Sequence, residues 1–169
     1  MLYDELANDR GYAFQLEDTL YKYTVRVYTK STADESGYLI ISTVDSTCIL
    51  NVYDSVLRSK YNISNHQQSH QTILICVIPK SPSKKITLPP NVQVIEQWRL
   101  CYNPTRHKWV PKHSLVTSME ELKHVLYGRD TSKLPKLLQD DPVSIWLGFQ
   151  VGDIIKIERK HNIMFRVVV

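Results

Sequence analysis

The stretch from Leu134 to Arg159, L-P-K-L-L-Q-D-D-P-V-S-I-W-L-G-F-Q-V-G-D-I-I-K-I-E-R, constrains the fold more than any other part of the chain. Asp141 predicts a helix start, because its carboxylate accepts from the N–H groups that a first turn leaves unpaired. Pro142 suits the first helical position, where its missing donor is not needed and its φ is already helical. Val143, Ile145, Trp146 and Leu147 give this short helix its apolar surface. Gly148 is placed to end it in a left-handed conformation, which a residue with a Cβ adopts only at a cost. Gly152-Asp153 reads as a turn, and Ile154 to Arg159 alternates like a strand. The stretch is architecture and holds no catalytic chemistry.

The 169 residues allow one domain or two small ones, at ~100–200 residues per domain. A single domain of this size buries roughly 70% of its unfolded surface, so a sizeable core is possible. Five glycines and the absence of any low-complexity run argue against extensive disorder. No apolar run approaches the ~18–20 residues of a membrane span. The opening M-L-Y-D-E-L has acids where a signal peptide carries lysines, so secretion is not expected. Cys48, Cys76 and Cys101 are odd in number and far apart, which is neither a disulfide framework nor a zinc ribbon. They read as reduced intracellular thiols, with burial the default for a free cysteine.

Charge is uneven. Residues 1–90 hold nine Lys/Arg and nine Asp/Glu, while residues 91–169 hold twelve and eight, which supplies the whole formal charge of +4. Arg99, Arg106, Lys108 and Lys112 form a band with no acid between them. Such a band fits nucleic acid, an acidic protein surface or a solvated face.

Taken in order, Asp4 to Arg10 predicts a short helix with Leu2, Leu6 and Tyr3 inward, followed by a turn at Asp9-Arg10-Gly11-Tyr12. Tyr21 to Thr29 alternates as a half-buried strand. Ser31 to Gly37 is a turn, and Tyr38 to Thr43 a second strand. A helix follows from Asp45 or Ser46 to near Tyr61, with Ile49, Val52, Tyr53, Val56 and Leu57 on one face. Asn62 to His70 is a polar run. Thr72 to Ile78, a continuous apolar run, reads as a central strand covered on both faces, and Val92 to Glu96 as the next strand. In the second half, Ser118-Met119-Glu120-Glu121 is a capping box, with Glu121 reaching back and Gly128 as C-cap. Ile163 to Val169 is the last strand, with Ile163, Phe165, Val167 and Val169 on one face. Lys160-His161-Asn162 leaves room only for a tight turn, so the last two strands form a hairpin.

These residues resemble a known family. Leu134, Pro135, Lys136, Asp141, Pro142, Leu147, Gly148, Gly152, Asp153, Ile154, Ile155, Lys156, Ile157 and Arg159 match, in order and spacing, the C-terminal domain of the fifth subunit of eukaryotic RNA polymerases, which has a small counterpart in archaeal polymerases. His107, Val110, Pro111, Lys112 and His113 match its H-x-L-V-P-K-H segment, with Trp109 in place of an aliphatic residue. A looser match covers the first half: the D-R-G-Y segment, the run Gln71, Thr72 and Val77 before a Pro/Ser/Lys loop, and Leu88-Pro89-Pro90 before a strand. The family carries more helix before D-R-G-Y, so most of that opening region is expected to be missing. It also carries a longer loop between its last two strands than Lys160-His161-Asn162 allows.

Other chemistry competes with plainer readings. His66 and His70 have i, i+4 spacing, but Asn, Gln and Ser neighbours favour a loop over a metal site. His107 and His113 have no Ser or Cys nucleophile in a strained turn beside them, and His124 and His161 read as surface. The resemblance implies that the first half has a fold similar to restriction endonucleases, which raises the question of cleavage; that needs an Asp and an E-x-K pair on adjacent strands. Glu96 has no lysine two positions on, and Glu121-Leu122-Lys123 falls on a predicted helix. Trp98, Trp109 and Trp146 read as core or protein interface before base-stacking platforms.

The expected fold class is α/β, of the α+β kind. Residues 1–98 form a jaw domain with a mixed sheet, which the family resemblance makes similar to endonuclease-like folds. Residues 99–169 form a small α+β assembly domain ending in a β-hairpin. The resemblance implies a non-catalytic subunit of a DNA-directed RNA polymerase, with no cofactor and no metal. Its partners would be the largest polymerase subunit, other polymerase subunits and, weakly and non-specifically, downstream duplex DNA, with no membrane. Pro111, Lys112, His113, Leu134, Pro135, Asp141, Pro142, Trp146, Gly148, Gly152 and Arg159 are the candidate subunit-docking residues. Lys80, Ser81, Ser83, Lys84 and Lys85 occupy the loop that in the family faces DNA. The alternative is a free-standing DNA-binding or nuclease-like protein. Localisation would be nuclear for a cellular chain, and host nucleus, cytoplasm or virion for a viral one. The short N-terminus, trimmed turn and looser jaw match lean towards a large DNA virus.

Overall fold

A computed structural model describes residues 2–20, 22–31, 36–59, 61, 70–80, 87–89, 91–127 and 130–169. The chain divides into two compact units, Met1–Tyr102 and Asn103–Val169. The first holds α1 (Tyr3–Asp9), β1 (Ala13–Leu20), β2 (Tyr23–Ser31), β3 (Ser36–Thr43), α2 (Ile49–Leu57), β4 (His70–Ile78) and β5 (Val92–Glu96). The second holds β6 (Lys112–Leu115), α3 (Met119–Leu126), β7 (Lys136–Leu137), α4 (Pro142–Leu147), β8 (Ile154–Glu158) and β9 (Ile163–Val168). Each unit has its own mixed sheet.

The first sheet runs β1-β2-β3-β4-β5. β1, β2 and β3 pair antiparallel, and β3, β4 and β5 pair parallel. A parallel pair needs a crossover long enough to return the chain, and α2 lies on the crossover between β3 and β4. Strand alternation then gives two buried faces. Val25, Val27, Ile40, Leu74 and Cys76 meet Ile49, Val52 and Val56 of α2. Tyr28, Leu39, Ile41, Ile75 and Val77 are equally buried on the opposite side. Near-complete burial of Leu74 through Ile78 explains the unbroken apolar run, since a strand covered on both faces has no polar side to present.

On that opposite side, side-chain hydrogen bonds fasten α1 and its C-cap. Tyr3 Oη lies 3.0 Å from Thr43 Oγ1, Tyr28 Oη donates to Asp4 Oδ1 at 2.9 Å, and Arg10 donates to Gln93 Oε1 at 2.7 Å. Leu6 and Ala7 are the buried residues of the helix. Burial pulls the Arg10 guanidinium down to about 10 and pushes the Tyr28 phenol up, as expected for groups whose charged forms lose water. Gly11 has φ 82°, so the turn into β1 uses a conformation open chiefly to glycine.

Several expectations require correction. β1 was not legible: its burial alternates weakly, and a bulge between Phe14 and Leu16 interrupts its register. α2 is preceded by a 3-10 turn at Ser46–Cys48 and stops at Leu57, before Tyr61. Tyr61 instead packs edge-on to Tyr38 and donates to Asp18 Oδ2 at 2.9 Å, tying the chain after the helix to β1. Of the three thiols only Cys76 is buried, Cys48 being half-buried and Cys101 exposed. The stretch 62–69, and with it His66 of the His66/His70 pair, lies outside the described residues.

The second sheet runs β6-β8-β9-β7. β8 and β9 form an antiparallel hairpin, closed by Arg159 N–H donating to Asn162 O at 2.9 Å. One face packs Ile155, Ile157 and Val168 with Leu137 and Phe149, and Met164 lies against them. Met164 and Val168 lie on this face of β9, whereas Ile163, Phe165 and Val167 share the other, as the alternation predicts, and Val167 is buried there opposite Ile154. Ile163 and Val169 are exposed. β9 has apolar residues on both of its faces, so alternation alone does not tell which one is inward. Ser118 Oγ accepts from Glu121 N–H at 3.4 Å, as a capping box requires. The Glu121 carboxylate, however, turns to Lys156 at 2.9 Å instead of reaching back. The left-handed cap of α3 falls on Tyr127, φ 45°, one residue before Gly128, which is outside the described residues.

Candidate docking surface

The capped helix is built as its sequence dictates. Asp141 Oδ1 accepts from Val143 N–H at 2.8 Å, and Pro142 takes the first helical position. Gly148 has φ 76° and ψ 27°, and its N–H donates to Ser144 O at 2.9 Å. Phe149 N–H donates to the same carbonyl at 3.0 Å, so two otherwise orphaned groups are satisfied at one acceptor. The chain then turns through Gly152, φ 97°. Asp153 Oδ2 accepts from Gln150 N–H at 2.8 Å across that turn. Val168 N–H donates to Asp153 O, which sets the start of β8 against β9.

The candidate docking residues fall into two groups. Leu134, Pro135, Asp141, Pro142, Gly148 and Gly152 gather at the end of the hairpin where Ile154 faces Val167. Pro135 O accepts from Val167 N–H, and Gly152 N–H donates to Val168 O. Pro111, Lys112, His113 and Arg159 lie at the other end, because Lys112 pairs with Glu158 and His113 with Ile157. β8 separates the two ends by ~13 Å at about 3.3 Å per residue. Trp146, at 2% exposure, belongs to the core, so it is not part of the surface.

At the second end the charges are largely spoken for. Lys112 Nζ lies 3.6 Å from Glu158 Oε2, and Lys156 Nζ lies 3.7 Å from Glu158 Oε1 and 2.9 Å from Glu121 Oε1. Pairing with Glu121 and then Glu158 holds the Lys156 ammonium above the ordinary lysine range. His113 Nδ1 lies 2.7 Å from Pro111 O. Arg159 is exposed at the hairpin turn. The basic band divides between the units. Arg99 belongs to the first, where it pairs with Glu96 at 3.4 Å, and Arg106, Lys108 and Lys112 belong to the second.

Residues 102–169, which include the whole of the second unit, match the family model described as RNA polymerase Rpb5, C-terminal domain. A DNA-directed RNA polymerase subunit Rpo5 from Methanothrix thermoacetophila is 44% identical over 70 residues, covering 37% of this chain and 88% of the relative. The chain belongs to the Rpb5 family of RNA polymerase subunits. Subunit Rpo5 of Methanosarcina acetivorans is 46% identical over 58 residues, covering 33% of this chain and 73% of the relative. The Dictyostelium discoideum protein named DNA-directed RNA polymerases I, II, and III subunit rpabc1 is 38% identical over 80 residues, covering 47% of this chain and 39% of its own length. The family match thus falls on the unit that carries every candidate docking residue.

Lys80 is exposed just beyond β4, whereas Ser81, Ser83, Lys84 and Lys85 lie outside the described residues. Among the described residues, no group of three or more His, Cys, Asp and Glu could hold a metal ion, and no helix is long and apolar enough to cross a membrane. An open groove of ≈ 560 Å³ in the first unit is lined by Lys22, Tyr23, Asn51, Asp54, Ser55 and Arg58, none of them a candidate site residue. Sequence reasoning missed Phe149, which is buried beside the cap, and the Glu121–Lys156 pair. The first follows the predicted helix end, where a hydrophobic residue commonly closes the cap. The second joins residues far apart in sequence and carries no local signal.

Proposed function

We propose that the second unit is an assembly module that docks this chain onto the largest subunit of a DNA-directed RNA polymerase. The first unit would then act as a jaw along the channel for downstream duplex DNA. Nucleotide chemistry would belong to other subunits, and this chain would contribute none. The observation that carries the reading is the coincidence of the family match at residues 102–169 with one compact unit that holds all the docking candidates. Pro111, Lys112, His113 and Arg159 would serve one end of the face, and Leu134, Pro135, Asp141, Pro142, Gly148 and Gly152 the other, with Trp146 in the core. Lys80, with Ser81, Ser83, Lys84 and Lys85 beyond it, would approach DNA phosphates, contacts that are sequence-independent and salt-sensitive. A jaw-bearing chain would work in a nucleus, or where a large DNA virus transcribes.

Affinity purification of the tagged chain from its native source should recover the largest polymerase subunit. A polymerase preparation that consistently lacks this chain would overturn the reading. No specific observation favours a free-standing nuclease: Glu121-Leu122-Lys123 lies on α3, with Glu121 committed to Lys156.

A further inference from the structure

Trp109 is 78% exposed, an unusual state for the side chain with the largest apolar surface. Its loop is nonetheless held by its own hydrogen bonds. Asn103 Oδ1 accepts from Thr105 N–H at 3.0 Å, His107 N–H donates to Pro104 O, Val110 N–H donates to His107 O at 2.9 Å, and Trp109 N–H donates to His107 Nδ1 at 3.3 Å. The ring is therefore presented on an ordered stalk, which lowers the entropy lost when a partner covers it. Lys108 Nζ lies 5.3 Å from the ring centroid. No acid occurs between Arg99 and Lys112, and the second unit holds eleven Lys/Arg against seven Asp/Glu, the whole net charge of the chain.

We propose that Trp109 anchors this end of the docking face by inserting into an apolar pocket with an acidic rim on the largest polymerase subunit. The inference rests on the docking reading above. A large aromatic beside Lys108, on a unit of net positive charge, complements such a pocket, and buried Trp residues are typical centres of binding energy in protein interfaces. Trp109 stands two residues before Pro111 and three before Lys112, so its loop leads directly into that end of the face. Single-stranded nucleic acid fits less well. Such sites combine a backbone-tracking groove with successive stacked rings, whereas this loop offers one ring, with Lys108 beside it.

The test measures binding of the full chain, wild type and variants, to the largest subunit from the same source. Trp109→Ala should weaken binding roughly thirty-fold or more, the loss expected for an interface anchor. Trp109→Phe should restore most of it, and Lys108→Glu should weaken binding more at low salt than at high salt. The exposed side chain leaves no cavity when removed, so the thermal melt of Trp109→Ala should match wild type. Failure of the wild-type chain to bind would remove the docking reading and this inference together. Wild-type binding with Trp109→Ala within about twofold of it, well inside the tenfold that 1.4 kcal/mol represents, would overturn the inference alone. So would a Trp109→Ala variant that keeps the subunit but loses an oligothymidylate bound by wild type.

Discussion

Lys156 Nζ lies 2.9 Å from Glu121 Oε1, which ties the sheet of the second unit to α3. The pair is one link in a row of alternating charge, Glu121, Lys156, Glu158 and Lys112, running from α3 across β8 to β6. Each inner member has two neighbours of opposite charge, and Lys156, between Glu121 and Glu158, is held in its charged form.

Alkaline pH should weaken this link. The folded-state pKa of Lys156 is raised, chiefly by the hydrogen bond and charge of Glu121. Its contribution is therefore fully present below the unfolded lysine value and is lost as pH rises through the folded one. Above the ordinary lysine range, the melting temperature of wild type should fall more steeply than that of Lys156→Met, which keeps the stem and has no charge to lose. Equal slopes would show that the pair stabilises nothing. High salt at neutral pH should narrow the gap, because both partners are partly exposed.

Gly148→Val should destabilise the second unit by about 1–3 kcal/mol, the range for a non-glycine residue held in a sparsely populated backbone region. The residue stands at φ 76°, and a β-branched side chain resists that conformation most. Gly148→Ala should fall at the lower end, about 1–2 kcal/mol. Trp146 is buried in this unit while Trp98 and Trp109 are exposed, so a red shift of the buried tryptophan's emission follows unfolding. An unchanged melt in Gly148→Val would mean that the cap contributes nothing to stability.

What could be read in advance divides by range. Asp141, Pro142 and Gly148 specify their helix locally, through a cap, a preset φ and a left-handed stop, and each does so in the structure. The run Thr72 to Ile78 announced a central strand because double-sided burial leaves no polar alternation. Tyr127 shows the limit of local signals. It takes the left-handed cap at φ 45° although a glycine follows it. β1 was hidden because register and sheet coverage decide it, and both depend on residues distant in sequence. The two-ended arrangement of the docking candidates was hidden for the same reason. Lys112 is set against Glu158, the residue before Arg159, by strand pairing, which sequence spacing does not reveal.

The three thiols should label in a fixed order. Cys101 is exposed, Cys48 half-buried and Cys76 buried. Burial also pushes the Cys76 thiol up to about 12, so the reactive thiolate is scarce there as well as shielded. Titration with an aromatic disulfide at neutral pH should modify Cys101 first, Cys48 more slowly and Cys76 only on unfolding. Prompt modification of all three in native protein would mean that the sheet opens far more readily than the packing of Leu74, Cys76 and Ile78 implies.

If both ends of the hairpin face the partner, losses at the two ends should be independent. Pro135→Ala removes an exposed ring at one end and keeps the carbonyl that accepts from Val167. Arg159→Ala removes an exposed cation at the other. The ends stand ~13 Å apart along β8, beyond the separation at which substitutions usually couple. Each variant should weaken binding to the largest polymerase subunit, and in the double variant the two free-energy losses should add within about 0.5 kcal/mol. The Arg159→Ala loss should shrink with added salt, because it removes a charge at the rim, while the Pro135→Ala loss should not. A loss confined to one variant would place the whole docking face at that end, and the residues at the other would then act only in folding.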